Sequence, residues 1–349
     1  MLILWSLLLI VLFYLLARIS DRYFLGSLEK ISERYDLSSD MAGATLMAIG
    51  SSAPELFVSL AAVFRPGDHA VVGVGTIVGS ALFNILVIVG VSASVKKAFV
   101  SWQPIVRDAV FYAISILLLL CFFVDGKITL NESLIMLGTY VLYVFAIVYW
   151  RRFFPYEDDA TDFVEDGFDE KEHFWTKMDF KVDCLIAYIF PKRTKYYSVF
   201  WVSVFYFGGI SWLLVESAIE IAHILQVPEV IIALTVLAIG TSVPDLVSSY
   251  LVAKKGKGGM AISNAVGSNT FDILVGLGLP FVVVLAFSDN GIHVSTEGLY
   301  VSTLLLLATI PAMIFILFIR NWEMDFYTGY FLIGLYIIYF IWSVSRVLV

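Results

Sequence analysis

Long apolar runs separated by short polar segments dominate the chain. Ten of these runs come close to the roughly 20 residues that a helix needs to cross a bilayer. The only long hydrophilic stretch, residues 151–196, separates two groups of five runs. The pattern predicts an all-α polytopic membrane protein with ten spans. They are expected at about 1–19, 38–64, 70–95, 105–124, 130–150, 197–222, 228–253, 259–287, 296–319 and 326–347.

Composition supports a lipid-embedded protein. Hydrophobic residues make up 60% of the chain and charged residues 15%, whereas soluble domains average about 45–50% and about 25%. No basic residue precedes the first apolar run, so we expect a retained span rather than a cleaved signal peptide. Cys121 and Cys184 lie far apart in sequence, and neither a disulfide nor a zinc site is expected.

The distribution of basic residues predicts the orientation. With the N-terminus outside, all of the 22 Lys and Arg except Arg65, Lys127 and Arg346 fall on the inner side. This bias predicts both termini outside a plasma or inner membrane and a cytoplasmic 151–196 loop. The acidic stretch 157–172 in that loop is interpreted as a solvated tether. A calcium-sensing segment is the alternative, although the acid spacing of an EF-hand is missing.

Two sequence blocks occur in both halves of the chain. Residues 43–60, GATLMAIGSSAPELFVSL, and residues 233–250, ALTVLAIGTSVPDLVSSY, are identical at eight of 18 positions. Residues 79–90, GSALFNILVIVG, match residues 267–278, GSNTFDILVGLG, at seven of 12 positions. Shared Gly, Ser and Pro in one order indicate an internal repeat. One copy covers about 43–90 of the first half (1–150), and the other covers about 233–278 of the second half (197–349).

The two copies are expected to point in opposite directions through the membrane. Five spans separate them, and an odd number inverts the second copy. Inverted-topology repeats are typical of secondary transporters, whose ion site lies near the bilayer midplane where the repeats meet.

Glu55 and Asp245 occupy the same repeat position within apolar spans. A charged side chain there costs roughly 2.5–3.5 kcal/mol, and the repeat spans hold no basic residue at membrane depth. A bound cation is therefore the natural counter-charge. The alternative is a protonated carboxyl group that is hydrogen-bonded between helices.

Glycine and proline precede each acid. A proline removes one backbone donor and frees the carbonyl four residues earlier, which predicts broken helices at Gly50 and Pro54 and at Gly240 and Pro244. Exposed carbonyls at membrane depth can coordinate cations.

Further oxygen ligands surround the two acids in sequence. An all-oxygen set without His or Cys favours sodium, calcium or potassium over zinc or copper. Asn84 and Asp272 are repeat mates, so one charge breaks the symmetry; a simple interhelical hydrogen bond is the alternative for Asn84. The candidates are Ser51, Ser52, Ser80, Asn84, Thr241, Ser242, Ser268 and Asp272.

These motifs resemble the paired alpha repeats of the calcium/cation antiporter superfamily. GSSAPELFVS with GTIVGSALFN, and GTSVPDLVSS with GSNTFD, look closest to the potassium-dependent sodium/calcium exchanger branch. The resemblance implies ten helices in two inverted bundles of five that exchange sodium for calcium by alternating access.

The resemblance also implies roles for individual residues. Glu55 and Asp245, with the carbonyls of Ser51 and Thr241, would bind calcium, and Asp272 would be the potassium-linked acid. The flanking sodium sites would use the Ala48 and Ala238 carbonyls with Ser52, Ser80, Ser242 and Ser268, and Asn84 would line the middle of the site.

Three rivals to sodium/calcium exchange stay open. A proton-driven calcium or cation exchanger would use the same acids, although the hydroxyl-rich flanks favour sodium. A passive channel would need no counter-ion, and an intramembrane aspartyl protease would place two acids around one water. We expect a transporter rather than an enzyme, with inorganic cations and the bilayer as partners, no nucleic acid, no cofactor, and a functional monomer.

Overall fold

The computed structural model describes residues 1–35, 48–67, 69–154, 188–191, 195–254, 256, 258–287, 291–295 and 298–345, and these are almost entirely helical. The helices are α1 Leu2–Ile19, α2 Leu25–Arg34, α3 Ala48–Ser51, α4 Ala53–Phe64, α5 Ala70–Phe83, α6 Val89–Val95, α7 Trp102–Phe122, α8 Leu130–Phe153, α9 Tyr196–Leu225, α10 Glu229–Ile232, α11 Ala238–Lys254, α12 Gly258–Leu274, α13 Gly278–Leu285, α14 Leu299–Ile319 and α15 Phe326–Ser345. Three π-helical segments, Ser20–Phe24, Asn84–Ile88 and Ala233–Leu237, join α1 to α2, α5 to α6 and α10 to α11.

Nine helical spans in the described residues are long and apolar enough to cross a membrane. The predicted second span is represented by α3 and α4, and its residues 38–47 lie outside the described residues, as does the acidic stretch 157–172. The first helical stretch is longer than the predicted span 1–19. It continues from α1 through the π-helical segment Ser20–Phe24 into α2.

Two short strand pairs tie the halves together, a small departure from the all-α prediction. Strand β1 (Ala98–Phe99) pairs antiparallel with β4 (Glu323–Met324), and β2 (Lys127–Ile128) pairs antiparallel with β3 (Ile292–His293). Strands β1 and β3 each follow the third span of their half, and β2 and β4 each follow the fourth. Exchanging the halves therefore converts one strand pair into the other, as a two-fold related repeat requires.

Two aromatic contacts obey the same symmetry. Tyr140 of α8 packs edge-on against Phe271 of α12, with ring centroids 5.4 Å apart and planes at 79°. Tyr336 of α15 packs against Phe83 of α5 at 5.4 Å and 81°. The last helix of each half thus contacts the repeat of the other half with matching geometry.

The third span of the first half lies at the centre of the bundle. Every residue of α5 is buried, and α4, α11 and the Ala233–Leu237 segment pack against it. Gly79 permits this contact, because a Cβ atom there would lie 2.4 Å from the Leu234 carbonyl oxygen. The GxGxxxG pattern of residues 73–79 therefore serves helix packing.

Candidate cation site at the repeat interface

Glu55 lies at a helix start inside the bundle. The second span is interrupted at Ser52, between α3 and α4, and Pro54 occupies the first turn of α4. Proline is tolerated there because first-turn amides lack helical partners. The same geometry places the Glu55 carboxylate in the first turn, where the helix dipole favours negative charge, and its side chain is only 1% exposed.

Hydroxyl groups from both repeats converge on this carboxylate. Ser80 Oγ donates to Glu55 Oε1 at 3.1 Å, and Ser242 Oγ donates to the same oxygen at 3.3 Å. The two hydroxyls are themselves 2.5 Å apart, and Thr241 lies beside the carboxylate. Four residues predicted from sequence therefore meet where the two repeats touch.

Asp272 is the second enclosed acid. It is 2% exposed, lies within electrostatic range of Glu55 and has Ser52 nearby. Among the described residues, neither Glu55 nor Asp272 forms an ion pair with Lys, Arg or His. Charges enclosed in this way need a counter-charge, because the desolvation of an unpaired carboxylate is costly.

Four buried oxygens of the predicted site residues have no hydrogen-bond partner in the described part of the protein. They are Ser52 Oγ, Glu55 Oε2, Asn84 Oδ1 and Asp272 Oδ1. Buried polar atoms without partners are uncommon in folded proteins. Hydroxyl, carboxylate and amide oxygens are the ligands that sodium and calcium prefer, so the four atoms could hold hard cations.

No cluster of three His, Cys, Asp or Glu side chains is present in the described ranges. The enclosed site thus combines two acids with neutral oxygens.

The second repeat adopts a different arrangement from the first. Asp245 is half-buried, whereas its mate Glu55 is enclosed. Ser268 donates to the Ala265 carbonyl of its own helix at 3.4 Å, whereas its mate Ser80 bonds to Glu55. The hydroxyl cluster around the first acid therefore has no formed counterpart between Ser268 and Ser52.

The predicted helix break at Gly240 and Pro244 is wrong, because α11 runs without interruption from Ala238 to Lys254. Proline can be kept in a membrane helix when nearby π-helical adjustments and Ser or Thr side chains satisfy freed backbone groups. Here the π-helical Ala233–Leu237 segment directly precedes α11, which holds Pro244 in its interior.

The carbonyl expected to be freed by Pro54 accepts one hydrogen bond from the chain. Ser20 Oγ, in the π-helical segment after α1, donates to the Gly50 carbonyl oxygen at 3.2 Å. Of the other predicted carbonyl ligands, Ala48 begins α3, Ser51 ends it and is half-buried, and Ala238 begins α11.

Asn84 makes the interhelical hydrogen bond considered as its simpler interpretation. Its Nδ2 donates to Asn269 Oδ1 at 2.9 Å, which leaves Oδ1 as one of the four oxygens without a partner. The sequence reasoning missed Asn269, although it lies in the GSNTFD block where the first repeat has Ala81.

Comparisons with known proteins agree with this architecture. The family model described as "Sodium/calcium exchanger protein" matches residues 5–149 and 195–345, which is most of the chain. The chain belongs to this family. It is a membrane transporter of cations and not an enzyme.

Curated relatives carry more specific names. Sodium/potassium/calcium exchanger 4 of Homo sapiens is 27% identical across 95% of this chain and 79% of its own length. Sodium/potassium/calcium exchanger 2 of Gallus gallus is 28% identical across 96% of this chain and 76% of its own length.

Solved structures show the same fold. The sodium-calcium exchanger NCX_Mj matches with a TM-score of 0.58 at 22% identity, covering 97% of this chain and 98% of its own. The H+/Ca2+ exchanger CAX matches with a TM-score of 0.70 at 13% identity, covering 96% of this chain and 81% of its own.

Proposed function

We propose that the chain is a secondary antiporter that exchanges sodium for calcium, with potassium as a candidate cotransported ion. The observation that carries the proposal is the enclosed carboxylate of Glu55, which receives hydroxyls from Ser80 of one repeat and Ser242 of the other. A cation bound there would contact both halves at once, so movement between the halves would change its surroundings.

The difference between the repeats supports alternating access. The counterparts of Glu55, Ser80 and Ser242 are Asp245, Ser268 and Ser52. In the opposite-facing state we expect Ser268 and Ser52 to approach Asp245, while Ser80 and Ser242 leave Glu55. Two packings related by exchange of the halves would then open the site to opposite sides in turn.

The charges in the site favour a calcium and sodium pair of substrates. Glu55 and Asp245 would balance one calcium ion, and Asp272 would add a further negative charge. Calcium with one monovalent cation, or three sodium ions, would neutralise all three acids. The hydroxyl and amide oxygens would complete the coordination of sodium, which needs several oxygen ligands.

The proposal is tested with purified protein in liposomes loaded with sodium. We expect calcium-45 uptake that requires the outward sodium gradient and stops when sodium is equal on both sides. Uptake that persists without sodium and follows a proton gradient would make a proton/calcium exchanger the better assignment. Calcium flux with no counter-ion would indicate a channel.

Potassium cotransport has its own test at Asp272. The names of the curated relatives, the sodium/potassium/calcium exchangers, support it. We expect external potassium to stimulate sodium-driven calcium uptake by the wild type, and Asp272→Asn to abolish the stimulation because the monovalent ion loses its carboxylate. Equal potassium responses in both proteins would remove Asp272 from a potassium site.

We further propose that both termini lie outside the cell membrane and the 151–196 loop inside it. Lys97 directly precedes β1 and Lys127 begins β2, and both side chains are exposed. In a Cys121→Ser, Cys184→Ser background, a membrane-impermeant maleimide added to intact cells should label Lys127→Cys and spare Lys97→Cys. The opposite labelling pattern would invert the topology.

A further inference from the structure

Asn269 joins both repeats and the fourth span through one side-chain amide. It is fully buried in α12. Its Oδ1 accepts from Asn84 Nδ2 at 2.9 Å. Its Nδ2 donates to the Ala81 carbonyl at 3.2 Å and to the Tyr112 hydroxyl at 3.2 Å. Ala81 is the repeat mate of Asn269. This repeat position is therefore polar only in the second copy.

The Ala81 carbonyl determines which atoms donate and which accept in the hydrogen bonds of Asn269 and Asn84. A backbone carbonyl can only accept, so Asn269 must turn its Nδ2 toward Ala81 and its Oδ1 toward Asn84. Asn84 must then donate to Asn269 Oδ1 through its Nδ2, and its own Oδ1 is directed away from Asn269. That Oδ1 is buried without a hydrogen-bond partner among the described residues, together with oxygens of Ser52, Glu55 and Asp272.

Tyr112 accepts the second hydrogen bond that Asn269 Nδ2 can donate. It belongs to α7, outside both repeat blocks, and its side chain is completely buried. By accepting the second Nδ2 hydrogen, its hydroxyl removes the cost that Asn269 would pay for a buried donor without a partner. Rotation of the amide would break the bonds to Ala81 and Asn84 together, because it would turn Oδ1 toward the Ala81 carbonyl and Nδ2 toward Asn84 Nδ2.

We propose that Tyr112 and Asn269 are positioning residues that present Asn84 Oδ1 to the bound cation. This inference rests on the proposed cation-exchange function. It assigns the fourth span, which supplies none of the predicted ligands, a share in ion affinity. Neither residue needs to touch the ion, because each acts through the orientation of the Asn84 amide.

The test compares Tyr112→Phe with Tyr339→Phe. Tyr339 is also a buried tyrosine outside the repeat blocks, and its hydroxyl bonds to Ser302 Oγ at 3.2 Å, so both variants lose one buried hydroxyl. Removing one neutral hydrogen bond should weaken calcium binding by about 2- to 10-fold in Tyr112→Phe. Tyr339→Phe should leave binding unchanged, and the maximal rate of uptake should change little in either variant.

A double-mutant comparison with Asn84 separates positioning from packing. If Tyr112 acts through Asn84, Tyr112→Phe should weaken binding no further when Asn84 is already alanine, since interacting residues give non-additive effects. A loss of calcium affinity in the double variant equal to the product of the two single losses would overturn the proposal. An unchanged affinity in Tyr112→Phe, or equal losses in Tyr112→Phe and Tyr339→Phe, would overturn it as well.

Equilibrium binding of calcium-45 in detergent and sodium-driven uptake in liposomes are measured on the same preparations. Wild-type protein that binds calcium but shows no sodium-driven uptake would contradict the proposed exchange, while the Tyr112 comparison would still be decided by binding. Wild-type protein that binds neither calcium nor sodium would overturn both.

Discussion

Replacement of Glu55 by glutamine is expected to abolish exchange. The substitution keeps the shape of the side chain and an oxygen that can accept from Ser80 and Ser242. It removes the negative charge from an enclosed site in which no basic residue of the described ranges is paired with Glu55. Loss of one partner from a buried charge pair costs about 3–5 kcal/mol, so calcium uptake should fall by at least about 100-fold.

Glu132→Gln provides the matched control for this substitution. Glu132 lies in the capping box at the start of α8, where its carboxylate accepts from the Thr129 amide, and glutamine serves equally well in a capping box. This variant should transport like the wild type. Near-normal uptake by Glu55→Gln, at equal protein density in the liposomes, would show that the enclosed carboxylate is not required.

The second large effect is expected at Gly79, where alanine should disrupt the contact between α5 and the second repeat. An added Cβ would lie 2.4 Å from the Leu234 carbonyl oxygen and 2.7 Å from the Ala238 Cβ. A backbone carbonyl cannot rotate away, so the elements must separate. Overpacking of this kind costs about 1–3 kcal/mol. Separation would also pull Ser80 away from Ser242, so uptake should fall together with the melting temperature.

The repeat mate Gly267 supplies the control for Gly79. A Cβ atom at Gly267 would meet the Tyr143 hydroxyl at 3.5 Å and Asp108 Oδ2 at 3.9 Å, which are ordinary contact distances. Gly267→Ala should therefore keep a nearly normal melting temperature. If the melting temperatures of the two variants prove alike, the close approach at Gly79 is not as described.

Much of the architecture could be predicted from residues near one another in sequence. The repeats, the enclosed acid Glu55 and the interruption near Pro54 follow from shared Gly, Ser and Pro and from hydropathy. The repeated motif in the second half predicted a matching break, yet α11 is continuous. A repeat motif encodes both packings available to it, and the surrounding contacts select one. The Ala233–Leu237 segment and Phe13, whose ring lies against Gly240, are such contacts.

Residues of the fourth and fifth spans could not be assigned from local pattern alone. Tyr112 reaches Asn269 across 157 positions, and a lone tyrosine in an apolar run carries no signal of that contact. The fifth spans of the two halves do share a detectable pattern. LGTYVLY at 137–143 and IGLYIIY at 333–339 have one Gly and two Tyr in common. Comparison of the complete halves, rather than of the acidic blocks alone, would have revealed this third repeated segment.

The central claim is that sodium and calcium compete for one enclosed site that includes Glu55. Equilibrium binding of calcium-45 to the purified protein at increasing sodium concentration tests it most directly. The proposed site predicts that sodium displaces calcium from the wild type with a dependence steeper than one ion, and that Glu55→Gln binds little calcium at any sodium concentration. Calcium binding that is insensitive to sodium, or that survives in Glu55→Gln, would contradict it.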